Sequence, residues 1–151
     1  MTAAGDTITG AAFDRADNPN CCIALRTATQ NIVSGGAGTL LSLDSEEFDN
    51  AGMFTPTSTN VTIAADGVYL VTFYTEWQPN ATGYRGIDIL INAVAAAGLT
   101  VAIGTATPTT RATATNTFLL TAGDVLTFNC TQNSGSTLTV TARVGVTRIS
   151  G

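Results

Sequence analysis

Histidine and lysine are both absent from this sequence, and charged residues of any kind make up only 11% of it. Without histidine the side chain most often used as a general base is missing, and no serine or threonine has an activating neighbour. No motif brings a nucleophile, a base and an oxyanion donor together, so an enzyme is not expected. The one enzymatic scheme still open, a glycosidase with carboxylates far apart in sequence, is disfavoured on the same ground. The three cysteines, Cys21, Cys22 and Cys130, are an odd number and lack histidine partners, so they offer zinc no ligand set. They read as small, partly buried thiols, with a bond formed later between subunits left open. Asp44, Glu46 and Glu47 are the one dense acidic group and read as a solvated turn, while Asp44, Glu46 and Asp49, the set that could meet calcium, lack the spacing of a calcium loop. No metal and no cofactor are expected.

The formal net charge is −5, and the six arginines, Arg15, Arg26, Arg85, Arg111, Arg143 and Arg148, form no basic run. Phosphate backbones and anionic lipid surfaces are therefore repelled rather than attracted, which argues against nucleic acid and membranes as partners. No stretch approaches 18 apolar residues, the length of a membrane-spanning helix. Residues 1–20 show neither a basic n-region nor an apolar h-region, so no secretory signal is expected there. Folding in a cytoplasm follows as the expectation, and the sequons at Asn60, Asn80 and Asn129 then read as plain turn or strand polarity.

What is present is a chain rich in threonine, alanine and glycine, 151 residues long, enough for one core and too short for two. Threonine suits a pleated strand because its branched Cβ is restricted in a helix. The alanines at 102, 106, 112 and 114 lie beside threonine and glycine without a helical stripe, and read as strand positions. Residues 1–21 are small and polar, with the Asn18-Pro19 break, and read as an extended arm preceding a domain over 22–151. From Cys22 onward, runs of strand length are separated by turn residues about every ten positions. A strand pair is expected over 23–33, then strands over 39–43, 61–64, 68–77, 85–93, 99–105, 111–120, 125–130 and 138–149, with an acidic turn at 44–47. The alternation of Leu138, Val140, Ala142, Val144 and Val146 with Thr139, Thr141, Arg143, Gly145 and Thr147 is the cleanest period of two. No crossover helix is available to make parallel pairs, so the expected class is an all-β sandwich of eight to ten antiparallel strands. Along the central strand Tyr69, Val71, Phe73 and Trp77 fall on one side and should fill the core. Leu70, Thr72, Tyr74 and Glu76 fall on the other.

Three blocks carry a resemblance. They are Phe48-Asp49-Asn50-Ala51-Gly52-Met53-Phe54-Thr55, Ala65-Asp66-Gly67-Val68-Tyr69-Leu70-Val71-Thr72-Phe73, and Leu119-Leu120-Thr121-Ala122-Gly123-Asp124-Val125-Leu126. In this order and approximate spacing they resemble the C1q/TNF-like jelly-roll superfamily, in the variety found in bacteriophage structural proteins, where segments such as Asn80 to Gly86 are typical. The resemblance implies a jelly roll in which Phe54, Gly67, Tyr69, Phe73, Gly123 and Asp124 are fold-determining. It also implies a compact homotrimer, with Leu70, Thr72 and Tyr74 on the sheet that packs around the threefold axis. The sequence departs from animal relatives in having no Gly-X-Y stalk and no signal peptide, which points away from a circulating role and towards a virion surface.

The leading expectation is a non-enzymatic virion structural protein made in a bacterial host: a homotrimeric capsid decoration or head-fibre protein. Its arm, through Thr2, Ile8, Phe13 and Arg15, would dock on the major capsid protein or another virion protein. The alternative is a tail-fibre or baseplate knob that recognises host glycan or protein through loops carrying Trp77, Tyr84 and Arg85.

Overall fold

The computed structural model describes residues 20–101 and 109–150, with only the backbone at 99–101. Ten strands are formed: β1 (Cys21–Ile32), β2 (Thr39–Leu40), β3 (Ser45–Asp49), β4 (Asn60–Thr62), β5 (Gly67–Trp77), β6 (Arg85–Ile91), β7 (Val94–Val101), β8 (Thr110–Leu120), β9 (Val125–Gln132) and β10 (Leu138–Ser150). Every strand pairing is antiparallel. One sheet has the order β3-β1-β10-β5-β8; the other has β2-β9-β6-β7, with β4 also pairing with β9. Face to face they make a jelly-roll sandwich.

The period-2 pattern decides which side chains enter the space between the sheets. Tyr69, Val71, Phe73 and Trp77 of β5 are fully buried, as are Val144 and Val146 of β10, Ile87 and Ile89 of β6, and Leu126 and Phe128 of β9. The Phe73 and Phe128 rings meet across the sandwich with centroids 5.2 Å apart, tilted by 57°. Slipping β5 by one residue would exchange this set for Leu70, Thr72 and Tyr74, so burial fixes the register.

Three expectations need correction. The acidic turn at 44–47 is mostly strand, since Ser45–Asp49 is β3 and pairs with β1. Asp44 itself anchors the approach by accepting from the backbone N–H groups of Thr27 and Ala28 at 2.9 and 2.8 Å. As an edge strand β3 turns its charges to solvent, and runs of charge on an edge discourage further pairing. The pair expected over 23–33 is a single strand, β1, with an irregularity between Arg26 and Gln30 where its register on β10 shifts. The strand expected over 99–105 begins earlier, at Val94 in β7, and residues 102–108, with the alanines at 102 and 106, lie outside the described residues.

The blocks behind the resemblance have local physical causes. Asp49 accepts from the N–H groups of Ala51 and Phe54, at 3.1 and 2.8 Å, and folds the following loop so that Met53 and Phe54 enter the core. At Gly67 a Cβ would stand 2.5 Å from the Ser150 carbonyl oxygen, and only glycine allows β5 to start against the end of β10. The Tyr69 hydroxyl donates to the Ala65 carbonyl at 2.8 Å, which lets a phenol close the base of the core. Asp124 ties three turns together: it accepts from the Thr121 N–H at 2.8 Å and from the Asn92 amide at 2.8 Å, while its own carbonyl accepts from the Ile63 N–H at 2.8 Å. The Gly123 N–H donates to the Ile63 carbonyl at 2.8 Å beside it.

The β6–β7 turn at Asn92-Ala93 holds both residues at positive φ, 50° and 67°. Asparagine tolerates this region; alanine does not, and hairpin turns of this kind favour Asn-Gly. Ala93→Gly is therefore expected to stabilise the domain by up to about 1 kcal/mol, measured by chemical denaturation. A loss of stability would show that the turn is not left-handed.

Candidate functional site

The β3-β1-β10-β5-β8 sheet turns one face to the core and the other away from it. Alternation delivers Val68, Leu70, Thr72, Tyr74 and Glu76 of β5 to the outer face, beside Leu119, Thr117, Thr115, Thr113 and Arg111 of β8. Across β10 the same rows continue through Thr147, Gly145, Arg143 and Thr141, and on β1 through Cys21, Ile23 and Leu25. Leu70, Thr72 and Tyr74, expected to share a face, do so.

The two ends of the face differ in chemistry. Towards the start of β5, an apolar stripe runs from Leu119 through Val68 and Leu70 to Ile23. Leu119 is 81% exposed and Leu70 is 37% exposed. Within the stripe, Gly145 leaves a hollow lined by Ile23, Leu70, Thr72, Arg143 and Thr147. The other end is polar. Glu76 pairs with Arg111 at 3.4 Å and accepts from Thr109 at 2.9 Å and from the Tyr74 hydroxyl at 3.2 Å. The Thr109 hydroxyl, then Arg111 and Tyr74, hold the Glu76 carboxyl below its ordinary range. Arg143 is bound to Glu47 at 2.8 Å. Charges here are matched within the chain, and such exposed pairs add little stability.

The loop residues expected to meet a ligand are arranged otherwise. Trp77 is fully buried at the end of β5, its indole N–H donating to the Thr75 hydroxyl at 3.0 Å, so it belongs to the core and cannot stack on a sugar. Arg85 is also fully buried. Its guanidinium donates to the carbonyls of Thr82 and Tyr84, both at 3.0 Å, and of Asn80 at 2.9 Å. Burial draws its pKa below the ordinary arginine range, and the role left to it is to pin the β5–β6 loop from inside. Tyr84 is half-buried, and its N–H donates to the Asn133 side chain at 2.6 Å. The three residues therefore form no exposed platform.

Cys22 and Cys130 are buried and reduced. Burial first, with Asp49 and Glu46 adding to it, pushes the Cys22 thiol up to about 12, and burial with Asp88 pushes Cys130 higher still. Neither is a thiolate at neutral pH. Cys21 lies on the outer face, its Sγ 3.2 Å from the Thr147 hydroxyl. Among the described residues no group of three or more Cys, Asp and Glu side chains is placed to hold a metal ion, and none of their segments is a helix long and apolar enough to cross a membrane. The arm residues Thr2, Ile8, Phe13 and Arg15 lie outside the described residues.

Asp44 and Asp124 are both held below the ordinary carboxylate range by their partners in the fold. Desolvation is the largest influence on Asp44 and raises it, but the N–H groups of Thr27 and Ala28, the Thr27 hydroxyl and Arg26 together outweigh it and leave the carboxyl below 3.8. The Thr121 N–H and then the Asn92 amide lower Asp124. A carboxyl depressed in the folded state adds stability that is whole above its unfolded pKa, about 4, and is lost as pH falls through the folded value. The melting temperature is expected to drop on acidification below that point, and Asp44→Asn with Asp124→Asn to flatten the drop. An unchanged acid limb in the double variant would assign it to other groups.

Sequence reasoning missed the hollow at Gly145 and the exposure of Leu119. Both left a signal: a glycine inside a strict β alternation marks thin or crowded backbone. The pair Leu119-Leu120 at a strand end must turn one leucine outward.

No family model matches the chain, and no curated protein matches it. Solved structures do. The globular domain of zebrafish complement 1qA protein superposes with a TM-score of 0.67 at 14% identity, over 86% of this chain and 97% of that one. The vertex protein P5 of phage PRD1 superposes at 0.65 with 18% identity, over 87% and 98%. Murine APRIL superposes at 0.59 with 10% identity, over 85% and 98%. The fold is that of the C1q/TNF-like jelly rolls.

Proposed function

We propose that the chain is a non-enzymatic structural protein of a phage particle, a homotrimer on the virion surface. In this reading the outer face of the first sheet is the subunit interface, and the residues ahead of β1 form an arm that docks the trimer on the capsid or another virion protein; Cys21, placed in the arm by the sequence, is the first residue of β1. The observation that carries self-association is the apolar stripe from Leu119 to Ile23, on the side of the sheet away from the core. Exposed apolar surface of this kind, in a chain with few charges, marks a contact with another protein. Placement on a virion is supported by the fold shared with the PRD1 vertex protein. The three blocks and the resemblance they carry support the trimer. With Trp77 and Arg85 buried, the loops give a glycan-reading knob no matching support.

The test is made on purified particles. Many copies per virion, located on the head by immunogold labelling, are expected for a decoration protein. A few copies at a tail tip would overturn that placement. Deleting residues 1–19 should leave the melting curve and oligomer mass unchanged and abolish binding to shells that lack the protein. A truncated chain that still coats shells would remove the arm from the account.

A further inference from the structure

Resting on the trimer reading, we infer that Leu119 of one copy seats in the hollow over Gly145 of the next copy, and that this knob-and-hole contact closes the ring. A ring of three copies related by rotation needs a heterologous contact, in which two different patches of each chain meet. The outer face supplies two such patches. Leu119 stands at the end of β8, an edge strand, beside Val68, and at 81% exposure it is the most exposed large apolar side chain among the described residues. The hollow, about 350 Å³, lies over β1, β10 and β5, with Ile23, Leu70, Thr72, Arg143 and Thr147 around it. It exists because position 145 has no side chain: a Cβ there would enter it, 2.7 Å from the Thr72 hydroxyl.

The occupant is set by chemistry and by reach. The one charge on the rim, Arg143, is already bound to Glu47 at 2.8 Å, so the hollow presents no unsatisfied cation to an anionic ligand and suits an apolar side chain. A chain cannot fill its own hollow. Leu119 is opposite Val68, whereas Gly145 is opposite Thr72 on the far side of β5. Two strand spacings and four residues of rise put them roughly 16 Å apart on one rigid sheet. A Leu119 that enters the hollow therefore comes from a second copy.

Two variants separate the halves of the contact. Leu119→Asp removes the knob and Gly145→Val fills the hole. Each alone is expected to raise the dissociation constant of the assembly about a hundredfold or more and to leave folded monomers at micromolar concentration. Mixed in equal amounts, they should form one-to-one heterodimers, because the Gly145→Val chain keeps its knob and the Leu119→Asp chain keeps its hole. Single variants that remain trimers, or a mixture that remains monomeric, overturn the contact. An unmodified chain that is itself monomeric would instead remove the trimer reading on which it rests.

A second measurement does not depend on Gly145→Val folding. Native Cys21 lies 3.2 Å from Thr147 on the rim, so a cysteine at the knob of the next copy would arrive beside it. Leu119→Cys, oxidised with copper phenanthroline, should give covalent species of two and three chains on non-reducing gels, and these should disappear in the Leu119→Cys, Cys21→Ser double variant. Cross-linking that persists without Cys21, or none in a trimeric Leu119→Cys sample, overturns the assignment.

Discussion

Phe73→Ala is expected to cost the domain about 3 to 5 kcal/mol, the range for removing a fully buried phenylalanine whose surroundings relax only in part. Relaxation is restricted here by what surrounds the ring. Phe73 lies in the middle of β5, held by Val144 of β10 on one side and Ala114 of β8 on the other. Both neighbours are short and sit on fixed ladders, so neither can swing into the vacated volume. Across the sandwich Phe128 would lose its tilted ring partner at 5.2 Å. Denaturant unfolding followed by the fluorescence of the single tryptophan, the buried Trp77, reads the loss directly. A change below about 1 kcal/mol, the level of an ordinary surface substitution, would mean that Phe73 is not on the core face.

Leu70→Asp is expected to do the opposite: to leave the fold within about 0.5 kcal/mol and to dissociate the proposed trimer. Leu70 is one position before Val71 and therefore on the other face. It is already 37% exposed, and its ladder neighbours are Thr117 and Thr147, so an aspartate there meets water and hydroxyls rather than another carboxylate. In the assembly the same carboxylate would be buried beside an apolar surface whose one nearby cation, Arg143, is already bound to Glu47, and a charge left in that position typically costs several kcal/mol. Three such sites per ring multiply the effect. Tyr74→Asp is expected to act in the same direction but more weakly, because Tyr74 belongs to the polar end and already donates to Glu76 at 3.2 Å. If light scattering showed intact trimers while circular dichroism showed a lower melting temperature, the two faces of β5 would be exchanged.

The contrast between these substitutions reflects what a sequence can disclose. The faces of β5, β6 and β10 were legible because alternation is a local property of the chain and burial enforces it. The turns at Asp66-Gly67 and Gly123-Asp124 were legible because their residue types are dictated by backbone geometry. That Asp124 also ties Asn92 and Ile63 was not, since those partners meet only after the sheets have paired. β3 was hidden because an edge strand tolerates Glu46 and Glu47, which in isolation look like a solvated turn. Trp77 carried two readings, a core position by strand phase and a ligand position by its place beside a loop, and its burial agrees with the first. Arg85 had only the loop to go by, and its burial depends on the carbonyls of the β5–β6 loop, which give the cation an internal set of acceptors. The hollow at Gly145 needed all three flanking strands in register before it existed at all.

The proposed role requires above all that this face join copies of the chain. Sedimentation equilibrium of the unmodified, full-length protein across the micromolar range measures that without any assumption about phage, shell or arm. The result predicted is a single species of three times the chain mass, persisting on dilution and lost in Leu70→Asp. A folded monomer throughout, with the stripe from Leu119 to Ile23 exposed to water, would contradict the account.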